Sequence, residues 1–255
     1  MEMNLTCQFL ISILALSALL IAPGALLLSA IGFRRRGVYS FSPIISLFIY
    51  LFESITFSVL GITCSTLTLF FPPLIISVCM FVFSRSNSLK SGSQEKPSNQ
   101  FSAVFVGYIV FMALVYAFSY YSEISAPDFA IQGYDSVFHY NQVRSFLDTG
   151  IFSPLSCSSY SDGDVSPFLG VGGSFYPAAW HLLTALCVDM TGVEVAVAVN
   201  AVNAFAIIYI FSTGMYWLLY EIFANAEIYP KSPPYPPPQS PTHPLQLLCP
   251  GILLY

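Results

Sequence analysis

The stretch LTCQFLISILALSALLIAPGALLLSAI, residues 5–31, contains no charged side chain and is followed closely by Arg34, Arg35 and Arg36. A helix needs about 20 apolar residues to cross roughly 30 Å of hydrocarbon, so this run is long enough to span a membrane. It is too long for a signal peptide and no basic residue precedes it. The arginines indicate the cytoplasmic side, which predicts that the N-terminus faces outside.

The composition of the whole chain agrees with a membrane protein. Of its 255 residues, 56% are hydrophobic and only 8% are charged, whereas a soluble domain has about 25% charged residues. Eight basic residues against 13 acidic ones exclude a basic face for nucleic acid. The six cysteines form no CxxC pair, so neither a disulfide framework nor a zinc knuckle is indicated. The predicted class is an all-α, polytopic helical protein whose partner is the lipid bilayer.

Four further spans follow from the apolar pattern, which makes about five transmembrane helices. Residues 43–83 are apolar for twice the length of one span, and a turn is expected near 61–65. Prolines 72 and 73 predict a bend or a division in the second helix of this hairpin. Residues 101–121 and 193–220 form the fourth and fifth predicted spans.

These spans divide the chain into three regions. Residues 1–100 form a three-span region that ends in a cytoplasmic linker, 84–100, and residues 101–225 form the core. Six of the eight Lys and Arg side chains lie in the two predicted cytoplasmic segments, so the loop 122–190 should lie outside a multi-pass protein of the cell membrane. Residues 226–255 hold nine of the 18 prolines and predict a disordered tail. This abrupt change suggests a fragment or a shifted reading frame.

The outer loop is predicted to contain two short helices. The first covers Tyr134–Thr149, with Asp135 capping its start and Gly150 closing its end. The second covers 176–189, with Pro177 at the first helical position. At about 1.5 Å per residue the second helix is too short to cross a bilayer. It should lie at the outer interface or dip between the spans.

Three residues of this loop are the candidate catalytic residues: Asp135, His139 and His181. Asp135 lies one turn before His139, so the two side chains can approach each other. Each residue also has a structural interpretation: Asp135 as a helix cap, His139 as a hydrogen-bonded core residue, and His181 as an interfacial anchor. The conjunction is more informative than any member, and it predicts that all three converge in one pocket above the outer leaflet.

Three stretches carry a resemblance to a known family. They are YDSVFHYNQVRSFLDTGIFSP (134–154), FYPAAWHLLTAL (175–186) and VAVAVNAVNAFAIIY (195–209). Together they resemble a family of large bacterial polytopic membrane proteins of unassigned activity, which is similar to the GT-C class of membrane glycosyltransferases. The resemblance covers about residues 100–220 and suggests an N-terminal fragment of a larger protein, which would be inactive alone.

The resemblance implies a glycosyltransferase-like function at the outer face, with a sugar on polyprenyl phosphate as donor. Asp135 is then the general base, while His139 and His181 orient it, bind the donor phosphate or hold a divalent metal ion. The sequence does not settle whether any cofactor is bound. One alternative is a non-catalytic multi-pass protein whose outer loop mediates interaction or assembly. A transporter that uses Glu53, Asn200 and Asn203 ranks lower, because interhelical hydrogen bonds explain these residues.

Overall fold

The computed structural model describes residues 3–33, 35–91, 103–123, 126–130, 134–155, 157 and 175–228. Every regular element among these residues is a helix, which confirms the all-α class. The elements are α1 (Leu5–Ala30), α2 (Arg35–Leu60), α3 (Thr66–Leu69), α4 (Phe71–Ser91), α5 (Ala103–Glu123), α6 (Tyr134–Thr149), α7 (Ala179–Thr191), α8 (Val195–Phe205), a π-helical turn (Ala206–Phe211) and α9 (Ser212–Ile228).

Four helical stretches are long and apolar enough to cross a membrane: Leu5–Ala30, Gly37–Leu60, Thr66–Ser86 and Val195–Leu219. The remaining predicted span corresponds to α5, which contains a shorter apolar stretch, Phe105–Tyr120. The prediction of about five spans is therefore matched by four long apolar helices and one shorter one. Two compact units can be distinguished, Met1–Trp217 and Leu218–Tyr255; all the contacts below lie within the first.

A close crossing joins α1 to α2. The Pro23-Gly24 pair does not end α1, which continues to Ala30. The backbone N–H of Gly24 donates a hydrogen bond to Oγ of Ser46 over 2.9 Å. A Cβ atom on Gly24 would lie only 2.2 Å from the carbonyl oxygen of Ser42. Small residues allow helices in a membrane to approach closely. Because Gly24 has no side chain, α1 can pack directly against the backbone of α2 at Ser42.

The predicted division before the prolines is confirmed. Helix α3 ends at Leu69 and α4 begins at Phe71, so Pro72 and Pro73 lie in the first turn of α4. Prolines are tolerated there because the first turn has no intrahelical acceptor for their missing N–H groups. Helix α4 then continues to Ser91, into the stretch predicted as a linker, and Oγ of Ser84 donates to the carbonyl oxygen of Ala30.

Contacts fix the relative directions of the spanning helices. The start of α1 meets the start of α8, where Oε1 of Gln8 accepts from the backbone N–H of Glu194. The start of α3 meets the end of α7, where Asp189 accepts from both the backbone N–H and Oγ1 of Thr66. The N-terminus and the loop helices thus share one side of the bundle, called the loop side from here on. Its assignment to the outside of the cell stays a prediction.

The two loop helices differ in how closely they follow the prediction. Helix α6 has the predicted bounds, and Gly150 ends it with a φ of +66°. Helix α7 begins at Ala179 rather than at 176, so the placement of Pro177 at the first helical position was wrong: residues 175–178 are extended or irregular, and the backbone N–H of Tyr176 donates to the carbonyl oxygen of Pro154. Residues 181–187 of α7 are all buried, and the helix packs against α1, α6 and α8. It therefore dips between the spans.

Candidate functional site

The two histidines predicted as site residues lie against each other. Nδ1 of His139 is 2.8 Å from Nε2 of His181, which is a hydrogen-bond distance. The two ring centroids are 5.0 Å apart and the planes are tilted by 32°. His139 belongs to α6 and His181 to α7, so the packing of these helices unites two imidazoles that are 42 residues apart in the chain.

Three aromatic rings surround the imidazole pair. The centroids of Phe138, Tyr176 and Trp180 lie 5.1–6.5 Å from that of His181. The same three centroids lie 5.4–6.2 Å from that of His139. Most of these contacts are edge-on, a favourable geometry for aromatic pairs. The rings give the site the apolar lining that is typical of ligand-binding sites.

Burial determines the charge of His181. Its side chain is only 2% exposed. Desolvation, followed by the nearby His139, lowers the pKa of His181 from 6.5 to about 4, because burial penalises the charged form. His181 is therefore neutral at pH 7. A neutral imidazole carries one proton, so one of its nitrogens donates a hydrogen bond and the other accepts one.

The histidine pair has two tautomeric arrangements. When Nε2 of His181 holds the proton, it donates to Nδ1 of His139; when Nδ1 of His181 holds it, His139 donates instead. In both arrangements Nδ1 of His181 is buried and has no hydrogen-bond partner among the residues that the structure describes. Exchange between the arrangements would move a proton along the pair when a donor or acceptor reaches its ends.

Gln142 is a further member of this region that sequence reasoning missed. Its side chain is completely buried, and neither Oε1 nor Nε2 forms a hydrogen bond within the described ranges. Each such group costs about 1–3 kcal/mol in stability when it is left unpaired. Gln142 lies one turn after His139 on α6, so both belong to one side of the helix. An amide on a loop helix is ordinarily solvated, so its residue type carried no signal.

Asp135 is only partly placed by the structure. It is the second residue of α6, in the first turn of the helix as predicted, and it lies one turn before His139. Its side chain lies outside the described part of the structure. The structure therefore brings together two of the three candidate residues, His139 and His181, and leaves the convergence of the third as a prediction.

Two asparagines of α8 hold the region around the site in position. Oδ1 of Asn203 accepts a hydrogen bond from the indole N–H of Trp180 over 2.9 Å. Nδ2 of Asn200 donates to the carbonyl oxygens of Pro127 and Phe129, over 2.8 and 2.9 Å. Both amides thus have a scaffolding role, and the transporter alternative loses two of its three polar residues.

Glu53 faces other helices, as expected for a charged residue in a span. Its Oε2 atom is buried and forms no hydrogen bond with any described residue. Its carboxylate also acts on the thiol of Cys64, whose pKa is raised mainly by burial and in smaller part by Glu53. Glu53 therefore lies near the loop-side end of α2 rather than in a continuous polar path.

A metal centre finds no support among the described residues. No three side chains of His, Cys, Asp or Glu converge there in an arrangement that could hold a metal ion. The sequence Asp162-Gly163-Asp164, which is typical of a turn and offers two carboxylates, and the predicted tail both lie outside the described residues. A divalent ion at Asp135 therefore stays a prediction.

A family model matches residues 17–254, which is nearly the whole chain. The chain belongs to this family, DUF6541, which is described as a family of unknown function. No curated protein and no solved structure matched the chain. The comparisons therefore give a family without an activity, and a function has to be proposed from the site itself.

Proposed function

We propose that this DUF6541 member belongs to a membrane glycosyltransferase of the GT-C type, which acts at the outer face on a sugar carried by polyprenyl phosphate. The observation that supports this most is the hydrogen-bonded pair of His139 and His181, enclosed by aromatic rings on the loop side of an apolar bundle. A lipid-linked donor keeps its polyprenyl chain in the bilayer and its sugar near the surface, and the pair joins two helices of the loop between the spans, within reach of such a donor.

The proposed reaction is the displacement of polyprenyl phosphate by an acceptor hydroxyl. The hydroxyl oxygen attacks the anomeric carbon, the bond from that carbon to the phosphate oxygen breaks, and the departing phosphate takes the electron pair. The hydroxyl proton passes to the carboxylate of Asp135, which acts as general base. His139, one turn away on α6, orients Asp135, and the bond to His181 fixes the ring of His139.

The surroundings of the pair suit a sugar. Tyr176 and Trp180 are partly buried, and their rings offer apolar faces against which the C–H groups of a pyranose can pack. A few polar atoms within an apolar lining are characteristic of small-molecule sites. A sugar packed against these rings would displace water from them, which would favour transfer to the acceptor over hydrolysis.

The proposal can be tested by replacing Asp135 with Asn in cells that make the protein and analysing their envelope glycan. We expect the glycan product to fall by about 100-fold, the scale of a lost general base. Asp148→Asn is the matched control, because Asp148 lies on the same helix, is 46% exposed and lies 3.9 Å from Nε of Arg144. Unchanged glycan in the Asp135 variant, at normal protein level, would refute the catalytic role.

The same glycan analysis, applied to a set of alanine variants, tests the alternative of a non-catalytic loop that mediates interaction or assembly. In that case Asp135, His139 and His181 would each tolerate alanine. Substitution of Trp180 or of the buried residues Val143 and Phe146 would instead remove the function, because these residues shape the surface of the loop.

A further inference from the structure

We infer that the amide of Gln142, together with Nδ1 of His181, binds hydroxyl groups of a neutral sugar ring and not the phosphate of the donor. This inference rests on the proposed function, since it names which part of the lipid-linked substrate lies at the junction of α6 and α7. It concerns two side chains that are both more than nine-tenths buried and that come from facing helices.

The first support comes from the hydrogen bonding of Gln142. Both polar atoms of this amide are buried without a partner among the described residues. Gln8 is the other buried glutamine of the described chain, and each of its two polar atoms has a hydrogen-bond partner. Oε1 accepts from the backbone N–H of Glu194, and Nε2 donates to the carbonyl oxygen of Met3. The bundle therefore does satisfy a buried glutamine where the amide serves the fold, and Gln142 is the exception.

The second support is the chemistry of the unpartnered atoms. The amide of Gln142 offers one acceptor and two donor hydrogens, and Nδ1 of His181 offers either role according to its tautomer. A sugar hydroxyl both donates and accepts, so it matches this set. A phosphate only accepts and is best bound by cationic donors. Neither Gln142 nor the neutral His181 provides a cation at pH 7.

Two parts of the substrate would therefore bind at different positions along α6. The sugar ring lies toward Gln142, and the reacting carbon lies one turn earlier, near His139 and Asp135. Because Gln142 and His181 are enclosed, they would select the hydroxyl pattern of the sugar, since an unpaired buried polar group discriminates strongly against a ligand that lacks its partner.

The test compares Gln142→Met with Gln8→Met in the full chain, using an amine-oxide detergent because a maltoside would itself supply sugar. Methionine is nearly the shape of glutamine but has no strong donor or acceptor. We expect Gln8→Met to lower the melting temperature, because it breaks two hydrogen bonds. Gln142→Met should leave the melting temperature of the free protein unchanged or raise it.

The binding arm uses methyl glycosides of glucose, mannose and galactose, with inorganic phosphate as the contrasting probe. At least one glycoside, at about ten times its Kd, should raise the melting temperature of the unsubstituted protein by about 2 °C more than that of Gln142→Met. General stabilisation by sugar as a cosolute cancels in this difference. Equal shifts in both proteins, stabilisation by phosphate alone, or a loss of stability in Gln142→Met as large as in Gln8→Met would each overturn the inference.

The result is separable from the test of the proposed function. If the protein binds glycosides through Gln142 but transfers no sugar, the binding site stands and the enzymatic assignment is refuted. If instead the protein transfers sugar, and glycosides stabilise Gln142→Met as much as the unsubstituted chain, the enzymatic assignment stands and the sugar site at Gln142 is refuted.

Discussion

Nδ1 of His139 and Nε2 of His181 are 2.8 Å apart, and this contact joins the two helices of the loop. His181 is almost completely buried, whereas His139 is partly exposed. The pair thus runs from the interior of the bundle toward its surface. A substrate at the surface could exchange a proton with His139, and His181 would hold that imidazole in one orientation.

The lowered pKa of His181 predicts that stability depends on pH. Its pKa in the folded protein is about 4, below the ordinary 6.5, so the unfolded chain takes up the proton first as pH falls. The stabilising contribution is complete above pH 6.5 and is lost between 6.5 and 4. At pH 5 the free energy of unfolding should have fallen by about 2 kcal/mol. Melting curves of the protein in detergent between pH 7 and pH 5 measure this.

His181→Gln is the control for this pH dependence, since it removes the titrating group. The difference between the two proteins cancels the titration of carboxylates. Equal pH dependence in both would contradict the assignment of a buried, neutral His181. His139→Gln should retain most of the dependence, because burial is the larger cause of the shift.

The α1–α2 crossing should be intolerant of a single methyl group. Gly24→Ala would place a Cβ 2.2 Å from the carbonyl oxygen of Ser42 and so force the helices apart. We expect it to lower the free energy of unfolding by at least about 2 kcal/mol. Gly107→Ala is matched to it, because no heavy atom of the described residues lies within 4 Å of a Cβ at that position of α5. A similar melting temperature for both variants would show that the crossing is looser than described.

Substitutions of Asn200 and Asn203 should differ in their effect on hydrogen exchange in the turn at 126–130. Asn200→Leu removes the donor to the carbonyl oxygens of Pro127 and Phe129, so the turn at 126–130 should loosen. Hydrogen exchange of the Phe129 amide should become at least about tenfold faster, the equivalent of one lost hydrogen bond. Asn203→Ala removes only the bond to Trp180 and should leave that amide unchanged. Faster exchange in both variants, or in neither, would contradict the separate roles.

Local signals in the sequence predicted much of the fold. Apolar run lengths gave the spans, and the prolines at 72 and 73 gave the division between α3 and α4. Gly150 gave the end of α6, because a left-handed residue closes a helix at low cost when it is glycine. The start of α7 could not be predicted this way. The residues before it are tied to Pro154 through the N–H of Tyr176, a contact between segments 22 residues apart that no local pattern shows.

The site was predictable only in part, for a similar reason. The helical spacing of Asn141, Arg144, Ser145 and Asp148 predicts that these polar residues share one exposed face of α6, and Arg144 and Asp148 are indeed 67% and 46% exposed. Ser145 was wrongly assigned to that face and is 5% exposed, because α6 packs against both α7 and α8 and buries a wider surface than one stripe. Gln142 was missed for the same reason. The pairing of His139 with His181 was expected because both histidines lie on short helices of the same loop, but no local pattern encodes the contact between these helices.

The most direct test of the proposed catalytic site is the rate at which membranes from cells that make the protein, with their own acceptor present, consume a radiolabelled polyprenyl-phosphate glucose, measured for His139→Asn, His181→Asn and the double variant. If the pair acts as a unit, each single substitution should lower the rate by about 100-fold and the double substitution should lower it little further. Single variants that fold normally and consume the donor at the unsubstituted rate would contradict the account.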